Sequence, residues 1–331
     1  MATVFTVGTG ETHSTITLAI NAIVGDLTAA GEQHVQVFSS TGDYIELVDA
    51  KTGFTNASAS DFIKIEAMVN HKLVRDAGIV IRLTTSPNPV EIISGTAFTQ
   101  IIGFNITTNG QNLGSTEAID INADGLIDRC MIYNFKDTTN AVLKAIQVRT
   151  RTIVRNCAMM DWECETGRID LVNITGVDAK VENCIALNIK ITNASLNFAF
   201  GRSSPFPAGV QVTNCYADFT GLTANRAFFA LATGTVNNCI SSDASADDFA
   251  GTGNLINKAT ANQFNNATQG SEDVTLKDGA DCIDAAQTLG FTQDGKNATR
   301  IVPWDVGADD AAAVLVAARG FAFGGAGTEW F

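Results

Sequence analysis

Charge is scarce in this 331-residue chain: Asp, Glu, Lys and Arg make up 17%, and the balance is acidic, at a formal −14. Nucleic acid and anionic membrane surfaces call for basic patches, so both are excluded as main partners. No run of about 18 apolar residues occurs, so no membrane-spanning helix is expected. Proline is rare, at 5 residues. The opening "MATVFTVGTGETHSTITLAI" lacks a basic stretch followed by an apolar one, so no Sec-type signal peptide is expected and synthesis is placed in a cytoplasm. Seven cysteines are an odd number, and their regular placement is unlike a disulfide framework.

What is present is an apolar share of 45%, enough for a folded body, with Thr, Asn, Ser and Gly supplying most of the polarity. That mixture suits many short strands joined by tight turns.

A repeat runs through the middle of the chain. "IDRCMI", "VRNCAM", "VENCIA", "VTNCYA" and "VNNCIS" place cysteines at 130, 157, 184, 215 and 239, at intervals of 27, 27, 31 and 24. Phe104 of "IIGFNI" holds the cysteine place one step earlier. A period in the mid-twenties carried by β-type segments marks a solenoid of stacked coils. Zinc ligands come in close pairs converging on a point, whereas these cysteines would form a row, about 4.8 Å per coil, as small buried filler. The preceding Asn156, Asn183, Asn214 and Asn238 are expected at a bend, hydrogen-bonding along the stack. Arg129 takes that place in the first copy, so the Asn ladder is expected to begin after it. Alternating runs at 34–48, 61–68 and 78–85 continue the pattern upstream, for roughly eight coils and a rod on the order of 40 Å long. Ile16, Ala19, Ile20 and Ile23 are spaced as a helix, capped by Ser14 or Thr15, that would close the first coil.

These features resemble the right-handed parallel β-helix proteins of the pectin-lyase-like superfamily. "VQVFSSTGDYIE" is similar to that family's strand followed by Gly-x-Tyr-x-Glu, here Gly42, Tyr44 and Glu46. Phe264, Asn266, Leu276, Gly279, Ile283 and Asp284, then Asp305, Val306, Gly307 and Ala308, are similar to the closing segment of many bacterial and phage members. The expected fold is all-β: a right-handed parallel β-helix with a short capping helix and an irregular C-terminal cap. The expected division is an N-terminal cap at 1–33, coils at 34–262, a closing segment at 263–310 and an apolar, Gly-rich tail at 311–331.

Function is less legible. The polygalacturonase-like branch of the family carries Gly-His-Gly, absent here, and the 3 histidines, His13, His34 and His71, all lie in the first quarter. "DWECETGRID" (161–170) is the densest polar stretch. Trp162 beside Glu163, Glu165, Arg168 and Asp170 could stack on a sugar ring and hydrogen-bond its hydroxyls; the alternative is a solvated turn with Trp162 folded onto the coil below. Phe321, Phe323, Trp330 and Phe331 in the tail would either cap the last coil or dock on another subunit. The resemblance implies a structural or adhesive virion protein of a tailed phage or phage-like particle. Its partners would be other virion proteins, further copies of itself (a trimer among the options) and host surface polysaccharide. The alternative is a polysaccharide lyase or depolymerase. No cofactor or metal is implied.

Overall fold

The computed structural model describes residues 2–310 except 24, 29, 40–41, 45–47, 51–53, 70, 84–91, 95–96, 109, 111–115, 139–141, 192–196, 202–207, 220–225 and 230–233. The predicted tail, with Phe321, Phe323, Trp330 and Phe331, lies outside the described residues, as does Glu46.

The chain is a right-handed parallel β-helix whose coils visit three parallel sheets in turn. Among the described residues, sheet 1 has nine strands, beginning with Thr3–Val7, Gln33–Val37 and Ile63–Ala67 and ending with Gln211–Thr213 and Thr235–Asn237, and sheets 2 and 3 have seven each. The longest are Met131–Asp137, Ala158–Cys164 and Ile185–Ile191 in sheet 2, and Val142–Val148 and Arg168–Ile174 in sheet 3. The pairing register matches the sequence repeat: Ile127, Val154, Val181, Val212 and Val236 stand one above another.

Between sheets 1 and 2 the chain turns through a single left-handed residue. Arg129, Asn156, Asn183, Asn214 and Asn238 all have φ between 50 and 56°, a conformation that Asn tolerates far better than β-branched residues do. The turn starts at Gly103 (φ 83°), before the Asn side chains begin. The cysteine that follows each corner points inward and is fully buried. Thiols of successive coils touch: the Cys184 amide donates to Cys215 Sγ (3.4 Å), and the Cys215 amide to Cys239 Sγ (3.4 Å). Burial pushes the Cys130, Cys157, Cys184 and Cys215 thiols well above their usual range, so they stay protonated filler.

The ends are closed differently from each other. The helix Ile16–Ala22 buries Ile16, Ala19 and Ile20, and Thr15 caps it, its hydroxyl accepting from the Leu18 amide at 3.1 Å. Residues 3–7, expected in the cap, already form the first strand of sheet 1. At the far end, residues 243–257 lie over the last coil, with the Val236 amide on Ala250 O and the Leu255 amide on Cys239 O.

The closing segment takes an unexpected route. It lies lengthwise on the outer face of sheet 2 as a strap, antiparallel to the progress of the coils. Asn238 Nδ2 donates to Ala285 O (3.1 Å), Asn214 Nδ2 to Gln287 O (2.8 Å) and Asn156 Nδ2 to Gln293 O (3.1 Å). So the strap moves back one or two coils at a time. Beneath it, Met131, Met160, Ile185 and Leu187 meet Phe264, Leu276, Cys282 and Val306 in a second apolar cluster. Arg300 locks the end of the strap. Its guanidinium donates to Asn156 Oδ1 (3.1 Å) and to the carbonyls of Asp305 (3.4 Å) and Gly307 (2.9 Å), within the Asp-Val-Gly-Ala motif.

Candidate functional site

The stretch 161–170 is strand, turn and strand: Ala158–Cys164 belongs to sheet 2 and Arg168–Ile174 to sheet 3. Trp162 is the correction. Its side chain is fully buried in the core, stacked on Phe135 at 4.2 Å with the rings 3° apart, and its indole N–H donates to Ile132 O (3.3 Å). No ring face is left for a sugar. The physical reason is Asp161, whose left-handed backbone (φ 60°) inserts one residue into the alternation. Met159, Trp162 and Cys164 therefore all reach the core, while Ala158 and Met160 face the strap.

The neighbours of Trp162 part into two groups. Glu163 lies between Lys190 (2.9 Å) and Lys136 (3.4 Å), one coil to either side; Lys190 foremost holds its carboxyl below the usual range. Glu165, at the turn, reaches the same Lys136 at 3.4 Å. Arg168 and Asp170 lie on the outer face of sheet 3.

On that face the repeat takes a form that reading by strict alternation misses. "EAID" (117–120), "KAIQ" (144–147) and "DLVN" (170–173) are stacked in register, each a pair of consecutive core residues between two outward polar ones. Two rows result: Glu117, Lys144, Asp170 and then Asp120, Gln147, Asn173. The signal was available as a polar-apolar-apolar-polar tetrad recurring at 27 and 26 residues. Lys144 pairs with Glu117, and Arg149 Nε donates to Asp120 Oδ1 (2.7 Å).

Asp170 is the most unusual member. It is fully buried, and its one close partner among the described residues is Arg168, whose Nη2 stands 2.7 Å from Oδ2. Burial pushes its pKa up to about 6, against the pull of Arg168 and Lys144. In the second row, Gln147 donates through Nε2 to Thr175 Oγ1 (2.7 Å), while Gln147 Oε1 and Asn173 Oδ1 are buried without a hydrogen-bond partner among the described residues. Further along the face, Phe198 and Phe229 stack at 5.9 Å. The accessible part of the face thus carries carboxylates in Glu117 and Asp120 and cationic groups in Lys144 and Arg168, while Asp170 lies beneath the surface. Among the described residues, no three His, Cys, Asp or Glu are grouped to hold a metal ion.

No protein-family model matches this sequence, and no curated protein matches it. Among solved structures it is similar to the pectin methylesterase from Aspergillus niger in deglycosylated form, at 12% identity, over 83% of this chain and 90% of that one, with a TM-score of 0.47. The penultimately deglycosylated form of that enzyme gives the same identity and coverage with a TM-score of 0.39. The parallel β-helix expected from the sequence is the architecture observed, on the strength of the strand pairing itself. A shared fold of this kind carries no activity with it.

Proposed function

We propose that this protein is a structural and adhesive rod of a phage or phage-like particle, presenting the outer face of sheet 3 to host surface polysaccharide. The observation that carries the reading is the in-register stacking of outward polar side chains on that face, Glu117 with Lys144 and Asp120 with Gln147 and Asn173, repeated from coil to coil. Other surface carboxylates are engaged in stitching coil to coil: Asp124 to Arg151 (2.6 Å), Asp128 to Arg155 (3.2 Å) and Glu163 to Lys190 (2.9 Å). Rigidity of this sort suits display. The closing motif's likeness to that of phage-borne relatives supports the particle setting, and by the same likeness the rod assembles with itself and with other virion proteins. Two measurements test the proposal. Gold-labelled antibody should decorate particles in electron micrographs. The Glu117→Ala, Asp120→Ala double variant should lose most of its binding to host polysaccharide while keeping the wild-type circular-dichroism spectrum; equal binding would sink the assignment of the face.

One observation favours a second reading, cleavage of an acidic polysaccharide: Asp170, whose pKa burial pushes up to about 6, stands 2.7 Å from Arg168, an acid and a cation side by side on the face. Reducing ends or unsaturated uronate released by the wild type and absent with Asp170→Asn would establish it; no product from any host polysaccharide would leave the adhesive rod.

A further inference from the structure

Near its end the strap makes one contact that the Arg300 lock does not use. Residues 294–298 form a tight turn around Asp294, whose Oδ1 accepts from the Lys296 amide (2.9 Å) and the Ala298 amide (2.7 Å). Backbone bonds close the same turn, from the Asp294 amide to Ala298 O (2.9 Å) and from the Asn297 amide to Asp294 O (3.1 Å). The turn is pressed against a later part of the strap. The Gly295 amide donates to Ala308 O at 2.6 Å, and a Cβ on Gly295 would lie only 2.9 Å from that oxygen. This close approach brings Lys296 Nζ into contact with Asp309 Oδ1. The other oxygen, Asp309 Oδ2, accepts from the Leu276 amide at 3.0 Å.

The pair is unlike the other lysine–carboxylate pairs among the described residues. In those the acid side chain is 19–44% exposed, as suits ion pairs laid across a surface. The Asp309 side chain is 2% exposed. A second acid, Asp294, is fully buried, and its Oδ2 has no hydrogen-bond partner among the described residues. Burial above all raises the Asp294 carboxyl, so it holds a proton more readily than a surface aspartate does.

We propose that Lys296 and Asp309 react with each other to form an amide cross-link between their side chains. The Lys296 amine attacks Asp309 Cγ; the Cγ–Nζ bond forms and the Cγ–Oδ1 bond breaks. Two protons shed by the Lys296 ammonium end on Oδ1, which leaves as water, and Asp294 Oδ2 carries them across. Ammonium and carboxylate thus become a neutral amide and one water, with no oxidant or nucleotide consumed. Oδ2 stays as the amide oxygen and keeps the Leu276 N–H, a donor already aimed at the oxygen where charge builds during attack. Amine and carboxyl held in contact react with an effective molarity on the order of 10⁵ M or more, and burial of the acid limits attack by water. The product also replaces a buried charge with a neutral group. The ring that it closes runs from Lys296 to Asp309 and includes Arg300, so the end of the strap becomes covalently fastened.

Mass spectrometry of the intact, full-length protein tests the proposal. The expected mass lies one water below that of the sequence, and a tryptic digest should yield residues 278–300, uncut at Lys296, joined to residues 301–319. Lys296→Arg, at a half-buried position and with its charge kept, should show the full mass and two separate peptides. Asp294→Ser keeps an oxygen for the turn but cannot relay protons, and most of it should stay uncross-linked; wild-type circular dichroism confirms that both variants fold. A full sequence mass in the wild type overturns the proposal. So does a water loss that survives Lys296→Arg, because Asp294-Gly295 can lose water to a succinimide without any lysine. Cross-linking of Asp294→Ser to the wild-type extent overturns the role given to Asp294.

Discussion

Asp170 and His71 tilt stability in opposite directions across one pH window. His71 is fully buried and neutral, its Nε2–H donating to Arg129 O (2.6 Å) and its Nδ1 accepting from the Leu73 amide (2.9 Å); burial takes its pKa from 6.5 to about 4. A folded pKa below the unfolded one leaves full stability above pH 6.5, lost as pH falls toward 4, by about 3 kcal/mol. Asp170 is the reverse. Its folded pKa of about 6 lies above the usual 3.8, so its contribution is present below 3.8 and lost as pH rises through 6, again by about 3 kcal/mol at most. In the wild type the two slopes largely cancel between pH 4 and 6. Urea unfolding from pH 4 to 7 should therefore show His71→Gln gaining stability on acidification and Asp170→Asn losing it. Slopes of the same sign in both variants would refute this assignment. At the same scale, Trp162→Ala should cost about 3–5 kcal/mol by opening a cavity beside Phe135, measurable as a lower urea midpoint.

At the scale of elements, the corner between sheets 1 and 2 carries two duties at once. Asn214 holds φ at 56° and binds the strap twice, through Nδ2 to Gln287 O and through Oδ1 from the Gln287 amide (3.0 Å). Asn214→Gly keeps the backbone conformation and removes the strap bonds; Asn214→Ala removes both. Equilibrium unfolding should rank them, with Gly costing about 1–2 kcal/mol and Ala about 1 kcal/mol more. The corner was legible in the sequence because Asn recurs before four successive cysteines of the row. The polar face of sheet 3 was not, because Ala145–Ile146 and Leu171–Val172 place two core residues in succession and break strict alternation. Trp162 was misplaced for a related reason, since one left-handed aspartate moves every later side chain of its strand to the other face. Glu163, Glu165, Arg168 and Asp170 were found as charges, but their division between two sheets depends on a turn that composition does not specify.

At the scale of the molecule, the coils are joined mainly by neighbour contacts, and two described segments span several of them: the strap, and the loop between Ala67 and Val80, through His71 to Arg129 O and Arg75 to Asp161. The strap's route was invisible in the sequence because the contacts of Asn156 with Gln293 and of Arg75 with Glu272 (2.8 Å) join residues 137 and 197 apart. The lock at its end is Arg300, whose side chain is fully buried against Asp310 (3.6 Å) and the motif carbonyls, with Asp294 and Asp305 also close by. Burial raises the carboxyls of Asp294 and Asp310, so removing the cation would leave acids that ionise only at a cost. Arg300→Met should then release the strap before the coils, because the coils keep their own ladders of hydrogen bonds and the strap does not. Hydrogen exchange is the measurement. Amides of residues 285–308 should lose at least ten-fold in protection, while those around Val154, Val181 and Val212 stay within two-fold of wild type. Equal loss in both sets would mean that strap and coils open as one unit, and that the rod has a single cooperative barrier running its whole length.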